Sequence, residues 1–168
     1  MKKLLCALAL TAIAAPGLAL AGSGGTSCAT AQEIFPQQTY SGDTSANTNF
    51  IGAFGPLPSP GPDAAYKFTS DGLATTTIDV TITGGWNAAI VMTGGCNGNA
   101  GNPIEAATGP AATFSMPVDN GTGGVLTAGT TYYVYISGNP SDNSGPSGAY
   151  SFTTPSPLPV VLQEFSID

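Results

Sequence analysis

Leu126-Thr127-Ala128-Gly129-Thr130-Thr131-Tyr132-Tyr133-Val134-Tyr135-Ile136-Ser137 is a turn followed by a strand, and its pattern decides how the chain folds. Branched and flat side chains such as Thr, Tyr, Val and Ile pack well on a pleated backbone, while Ala128-Gly129 supplies the bend before them. A strand therefore begins near Thr130. With a period of two, Tyr132, Val134 and Ile136 fall on one face and Tyr133, Tyr135 and Ser137 on the other. The first face is expected in a core and the second toward water.

The same alternation recurs on both sides of this stretch. Ile78, Val80 and Ile82 share one face against Thr77, Asp79, Thr81 and Thr83, Tyr66 and Phe68 flank Lys67, and Tyr150 and Phe152 flank Ser151. Expected strands are 38–43, 47–53, 64–69, 75–83, 88–93, 111–117, 130–137 and 149–154, separated by clusters of Gly, Pro, Asn and Asp. Residues 28–35 suggest one helical turn before Pro36. No stretch sustains a helical period. The expected fold is all-β, a jelly-roll-like antiparallel β-sandwich of seven to nine strands in one domain, residues 22–154.

Residues 1–21 have the form of a secretory signal peptide. Lys2 and Lys3 precede an apolar run, Pro16-Gly17 breaks it, and Ala19-Leu20-Ala21 places small residues at minus three and minus one of a cleavage site after Ala21. The run is shorter than the roughly 20 residues that a permanent membrane anchor needs, so no membrane span is expected. The chain is expected to be secreted through the periplasm, to the extracellular space or the cell surface.

Removing 21 of the 168 residues leaves one cation, Lys67, against ten Asp and Glu. Nucleic-acid binding depends on Lys and Arg neutralising phosphates, so a chain this acidic is not a nucleic-acid partner. Charged residues make up 8% of the chain, and uncharged Thr, Ser, Asn and Gly must cover its surface. Cys28 and Cys96 then remain, and an exported chain with an even count pairs them in a disulfide. Two thiols without short spacing do not suit zinc or an iron–sulfur cluster.

From Cys28 to Thr154 the chain resembles the bacterial pre-peptidase C-terminal domain. The pieces that carry the resemblance are Cys28-Ala29-Thr30-Ala31, Ser41-Gly42-Asp43-Thr44, Gly61-Pro62-Asp63-Ala64-Ala65-Tyr66-Lys67-Phe68-Thr69, Trp86-Asn87-Ala88-Ala89-Ile90 with Gly95-Cys96, Leu126 through Tyr133, and Gly145 through Tyr150. The resemblance implies a jelly-roll-like sandwich, non-catalytic, appended to secreted hydrolases and serving secretion or substrate binding. Collagen-binding relatives hold calcium through Glu and Asp clustered near the N-terminus. Here only Glu33 and Asp43 stand in that region, far apart, so that site does not carry over.

The chain has no histidine, which removes His-activated serine or cysteine nucleophiles and His-ligated metal hydrolases. A carboxylate pair for glycoside hydrolysis could come from Asp63, Asp71, Asp79, Glu105 and Asp119. Asp71-Gly72, Asp119-Asn120-Gly121 and Asp142-Asn143 stand where Asp bonds its own turn, and Asp79 lies on the wet face of a strand. No catalytic residue is expected. No cofactor is expected either, calcium on Asp, Asn and loop carbonyls being the one left open. Ligand-binding candidates are Tyr133 and Tyr135, as flat rings two apart on an open face, and Trp86, although a lone Trp after Gly84-Gly85 is more often a core plug than a ligand platform.

Residues 155–168 form a Pro-rich connector, Pro155-Ser156-Pro157-Leu158-Pro159, and a strand-like tail carrying Val160, Val161, Leu162, Phe165 and Ile167. The tail is expected to return to its own sandwich, leaving a monomer. Self-association through residues 159–168 is the alternative. The expected function is a non-catalytic secreted or cell-surface module that binds an extracellular polymer or protein. A self-assembling subunit of an extracellular fibre or matrix is the alternative, and a carboxylate glycoside hydrolase a distant third.

Overall fold

The computed structural model describes residues 20, 21, 24–54, 57, 58, 61–96, 103–109, 113–139, 141, 146–156 and 158. In chain order the strands are β1 (Leu20–Ala21), β2 (Gln32–Glu33), β3 (Thr39–Asp43), β4 (Ala53–Phe54), β5 (Leu57–Pro58), β6 (Ala64–Thr69), β7 (Thr76–Ile82), β8 (Ala88–Thr93), β9 (Glu105–Gly109), β10 (Thr113–Val118), β11 (Thr131–Gly138) and β12 (Ala149–Thr153). One sheet has the order β1-β3-β12-β7-β10, the other β2-β6-β11-β8-β9, and β4 and β5 form a small hairpin. The protein is an all-β sandwich. Its main ladders are antiparallel, but the two N-terminal strands pair parallel, β1 with β3 and β2 with β6.

The alternation seen in the sequence builds the space between the sheets. Ile78, Val80 and Ile82 of β7, Tyr150 and Phe152 of β12 and Tyr40 of β3 meet Tyr66 and Phe68 of β6, Ile90 and Met92 of β8, and Tyr132, Val134 and Ile136 of β11. Phe152 stacks on Tyr40 at 5.3 Å and meets Tyr66 edge-on at 4.9 Å. The Tyr66 and Tyr150 hydroxyls hydrogen-bond each other at 2.7 Å, so these two rings enter the core with their polar ends satisfied.

The opposite face of β11 departs from expectation. Tyr135 and Ser137 are fully buried, not wet. Tyr135 belongs to a second apolar cluster on the outside of the β2-β6-β11-β8-β9 sheet, in which Ala65, Ala89, Val91 and Tyr135 are covered by Cys28, Ala31 and Ile51. The cover is the N-terminal segment. Gly25 and Ala65 exchange both backbone hydrogen bonds, at 2.9 and 2.7 Å, a 3₁₀ turn at Cys28–Thr30 crosses the face, and β2 returns along the edge of β6. Gly25 has no room for a side chain, since a Cβ there would lie 2.1 Å from the Thr30 carbonyl oxygen. Cys28 is joined to Cys96 by a disulfide with a Cα–Cα separation of 5.3 Å, which ties the cover to the loop after β8.

Three further differences have physical reasons. Residues 47–52 are a loop instead of a strand, because the N–H groups of Phe50 and Ile51 are drawn to the Asp63 carboxylate. The expected helical turn shrinks to Cys28–Thr30, since its continuation pairs with β6. Strand β9 is not legible in the sequence because Glu-Ala-Ala-Thr-Gly has little strand propensity of its own and owes its form to pairing with β8. Among the described residues no helix is long and apolar enough to cross a membrane. The expected strand in the tail, residues 159–168, lies outside the described residues, as does the expected turn at Asp142-Asn143.

Because both faces of β11 are buried, Ile136→Ala is expected to lose about 2–5 kcal/mol and Tyr135→Ala about 3 kcal/mol, read from denaturant midpoints. A silent Tyr135→Ala would contradict the second cluster. The disulfide spans 68 residues, and opening it with paired Cys→Ser changes is expected to lose about 4 kcal/mol in the same measurement.

Candidate functional site

The three aromatic candidates end in three different environments. Trp86 is 7% exposed and plugs one end of the core, its Nε1–H donating to the Ala149 carbonyl at 3.0 Å. Gly148 makes the space, since a Cβ there would lie 2.5 Å from Trp86 Cδ1. Tyr135 is 0% exposed and is stacked between Phe50, at 6.2 Å, and Tyr133, at 6.5 Å. Neither presents a ring to a ligand. Tyr133 is half-buried at the margin of the cover, in register with Lys67 of β6 on one side and Thr93 of β8 on the other. The expected open pair is thus a single ring beside the cation at position 67.

Asp63, just before β6 and near the Ile136–Ser137 end of β11, is fully buried. Its Oδ2 accepts the N–H groups of Phe50 at 2.7 Å and Ile51 at 2.6 Å, and the Ser137 hydroxyl bonds the same carboxyl group. Its backbone takes part as well, the N–H donating to the Thr48 carbonyl at 3.1 Å and the carbonyl accepting from Asn47 Nδ2 at 2.8 Å. One aspartate therefore fastens residues 47–51 over the sheet. Burial pushes its carboxyl up to about 6, against the opposing pull of Ser137 and the two N–H groups. Among the described residues Oδ1 has no hydrogen-bond partner, so a proton can settle there without breaking a bond. Burial also pushes the Tyr135 hydroxyl up to about 12, with Thr93 pulling the other way and the charges of Tyr133 and Asp63 adding to the rise.

The remaining carboxylates are mostly turn-makers. Asp71 Oδ1 accepts the Leu73 N–H at 2.9 Å, Asp119 Oδ1 the Gly121 N–H at 2.7 Å, and Asp43 Oδ1 the Ser45 N–H at 2.8 Å. The structure does bring Glu105 and Asp119 together. Burial first, then a hydrogen bond to Asp119 and its charge, raise the Glu105 carboxyl above its ordinary range. Among the described residues no three of His, Cys, Asp and Glu gather in a metal-binding group.

A broader surface was only half legible in the sequence. The outer face of the β1-β3-β12-β7-β10 sheet carries hydroxyls in register across four strands. Ser41, Ser151, Thr81 and Thr113 form one row, and Thr39, Thr153, Asp79 and Ser115 the next. Thr39 and Thr153 hydroxyls bond at 2.9 Å, Thr81 and Thr113 at 3.2 Å, and Ser115 Oγ donates to Asp79 Oδ1. Rows stand about 7 Å apart and strands about 4.8 Å, so the face is a regular grid of small polar groups. The Thr-Ile-Asp-Val-Thr-Ile-Thr pattern announced one strand of it. Only the pairing shows that its neighbours present the same chemistry.

Comparison of the chain with family models, with curated proteins and with solved structures finds no match.

The Asp63 carboxyl yields a pH dependence of stability. Folding raises it from 3.8 to about 6, so between these values the folded chain holds a proton that the unfolded chain has released. Its contribution is full below about pH 4 and is lost as pH rises through 6, a decline of about 3 kcal/mol at most. Denaturant unfolding across pH 4–7 is expected to show that decline in the native chain and a flatter profile in Asp63→Asn. An equal slope in both would contradict the assignment.

Proposed function

We propose that the protein is a non-catalytic, exported module that binds an extracellular polymer, and that a polysaccharide suits it best. The observation that carries this reading is the hydroxyl grid on the outer face of the β1-β3-β12-β7-β10 sheet. Its Ser and Thr side chains are exposed or half-buried and have no cation among them. Such a surface offers donors and acceptors at regular spacing, with Asp79 the one charged residue in the two rows, which fits a hydroxyl-rich chain without anionic groups laid along it. Ring stacking by Tyr133, beside Lys67, gives the other sheet a smaller contact of the same kind.

The likeness to pre-peptidase C-terminal domains supports the same reading, since those modules are non-catalytic partners of secreted hydrolases. Its pieces occupy structurally meaningful places here. Asp63 through Thr69 is the anchor and strand β6, Trp86 is the core plug, and Leu126 through Tyr133 is the turn into the central strand. The signal-like residues 1–21 support export, and the disulfide suits an oxidising compartment.

Co-sedimentation of the processed chain with microcrystalline cellulose, chitin and peptidoglycan tests the proposal. Retention by at least one polymer is expected, with Thr81→Lys/Thr153→Lys weakening it about tenfold or more. That variant should keep its denaturant midpoint to within about 1 kcal/mol, the scale of exposed cross-strand pairs. No retention by any of the three, or undiminished retention by the double variant, would overturn it.

A further inference from the structure

The turn that follows β10 holds an asparagine side chain in an unusual grip. Asn120, Gly121, Thr122 and Gly123 are exposed, and the turn closes on itself through the Asn120 N–H, which donates to the Gly124 carbonyl at 3.0 Å. Three donors converge on the amide oxygen of Asn120. Its Oδ1 accepts the Thr122 N–H at 3.0 Å, the Thr122 hydroxyl at 2.7 Å and the Gly124 N–H at 3.0 Å. Fixed donors aimed at a carbonyl oxygen draw electrons from its carbon, and they stabilise the charge that gathers on the oxygen when that carbon is attacked.

The attacking group is the next nitrogen along the chain. Because Oδ1 reaches forward to the N–H of the residue after next, the side-chain carbon Cγ is folded over the intervening Gly121 nitrogen. The Gly121 N–H itself donates to Asp119 Oδ1 at 2.7 Å. That bond lies in the peptide plane and leaves the face of the nitrogen clear, while the carboxylate is placed to take the proton. Glycine is needed at this point, since its φ of 85° is one that other residues rarely adopt and no Cβ stands in the way of the approach. Asn139 shows the contrast. Its Oδ1 accepts the Ser141 N–H at 2.9 Å in a turn of the same kind, but the next residue is Pro140, which has no N–H to give up.

We propose that Asn120 is a self-modification site, at which the folded chain converts its own asparagine through a cyclic imide to aspartate and isoaspartate. The Gly121 nitrogen forms a bond to Asn120 Cγ, its proton passes to Asp119, and the electron pair of the C=O moves onto Oδ1 among its three donors. The C=O then re-forms and the Cγ–Nδ2 bond breaks. Nδ2 takes the proton back from Asp119 and leaves as ammonia. Water adds to either carbonyl of the five-membered ring and reopens it, giving aspartate or, with the backbone routed through Cγ, isoaspartate. Asparagine and one water are consumed, and one ammonia and one new carboxyl group are formed, without oxidant, cofactor or partner. The new carboxyl group stands next to Asp119, which already meets Glu105.

The experiment incubates the full chain in neutral buffer at body temperature, folded in one sample and unfolded in urea in the other. Peptide mass mapping of residues 119–124 follows the replacement of amide by carboxyl at position 120, enzymatic methyl transfer detects isoaspartate, and released ammonia is measured alongside. The folded chain is expected to convert Asn120 about tenfold faster than the unfolded chain, because only folding sets the three donors and the Asp119 carboxylate around it. Thr122→Val removes one donor from Oδ1 and is expected to lower that folded-to-unfolded ratio several-fold, whereas Thr122→Ser keeps it. Each ratio is taken against the variant's own unfolded chain, so the change of neighbouring sequence cancels, and an unchanged denaturant midpoint shows that the fold is intact. Conversion no faster in the folded chain than in the unfolded one would overturn the proposal. So would a ratio that Thr122→Val leaves unchanged.

Discussion

A carboxylate removed from water must be repaid in hydrogen bonds, and the Asp63 side chain obtains them from the backbone of residues 50 and 51 and from Ser137. Placing a bare charge in an apolar interior is costly, so the loop that supplies those donors is held where they are needed. Much of the architecture depends on that loop. Ile51 is carried over Ala65, Ala89 and Val91, Phe50 is laid against Tyr135, and the outer face of the sheet becomes a second core. The disulfide fastens the rest of that cover from the other side.

This arrangement suits a chain with few charges. With 8% charged and 42% hydrophobic residues, it cannot leave both outer faces of the sandwich to ionic side chains. One face is covered by the chain's own N-terminal segment and the 47–51 loop. The other is paved with Ser and Thr whose hydroxyls bond one another across strands. The division of labour between the faces is what points to function. The covered face preserves one half-buried tyrosine at its margin, and the paved face remains open over four strands.

The core was readable in advance because alternation is a local signal. Tyr132, Val134 and Ile136, and Ile78, Val80 and Ile82, lie inside as their spacing requires. The second core was not readable from alternation, because what buries Tyr135 comes from residues 28–31 and 50–51, distant in sequence. A signal did exist. Ala88-Ala89-Ile90-Val91-Met92 is a continuous apolar run, and such a run marks a strand buried on both faces. Asp63 reads in the sequence as one more loop carboxylate after Gly61-Pro62. That it anchors the 47–51 loop is fixed by an approach across the fold. Likewise, Asp79, Thr81 and Ser151 were visible as outward residues, while their assembly into rows depends on the register of β3, β12, β7 and β10.

The anchoring of residues 47–51 by Asp63 is most directly tested by native-state hydrogen exchange at the Phe50 and Ile51 amides. Both are predicted to exchange as slowly as the amides of β11, although they lie in a loop, because they open only when the second core opens. Exchange of these two amides at loop-like rates, with β11 still protected, would contradict the account.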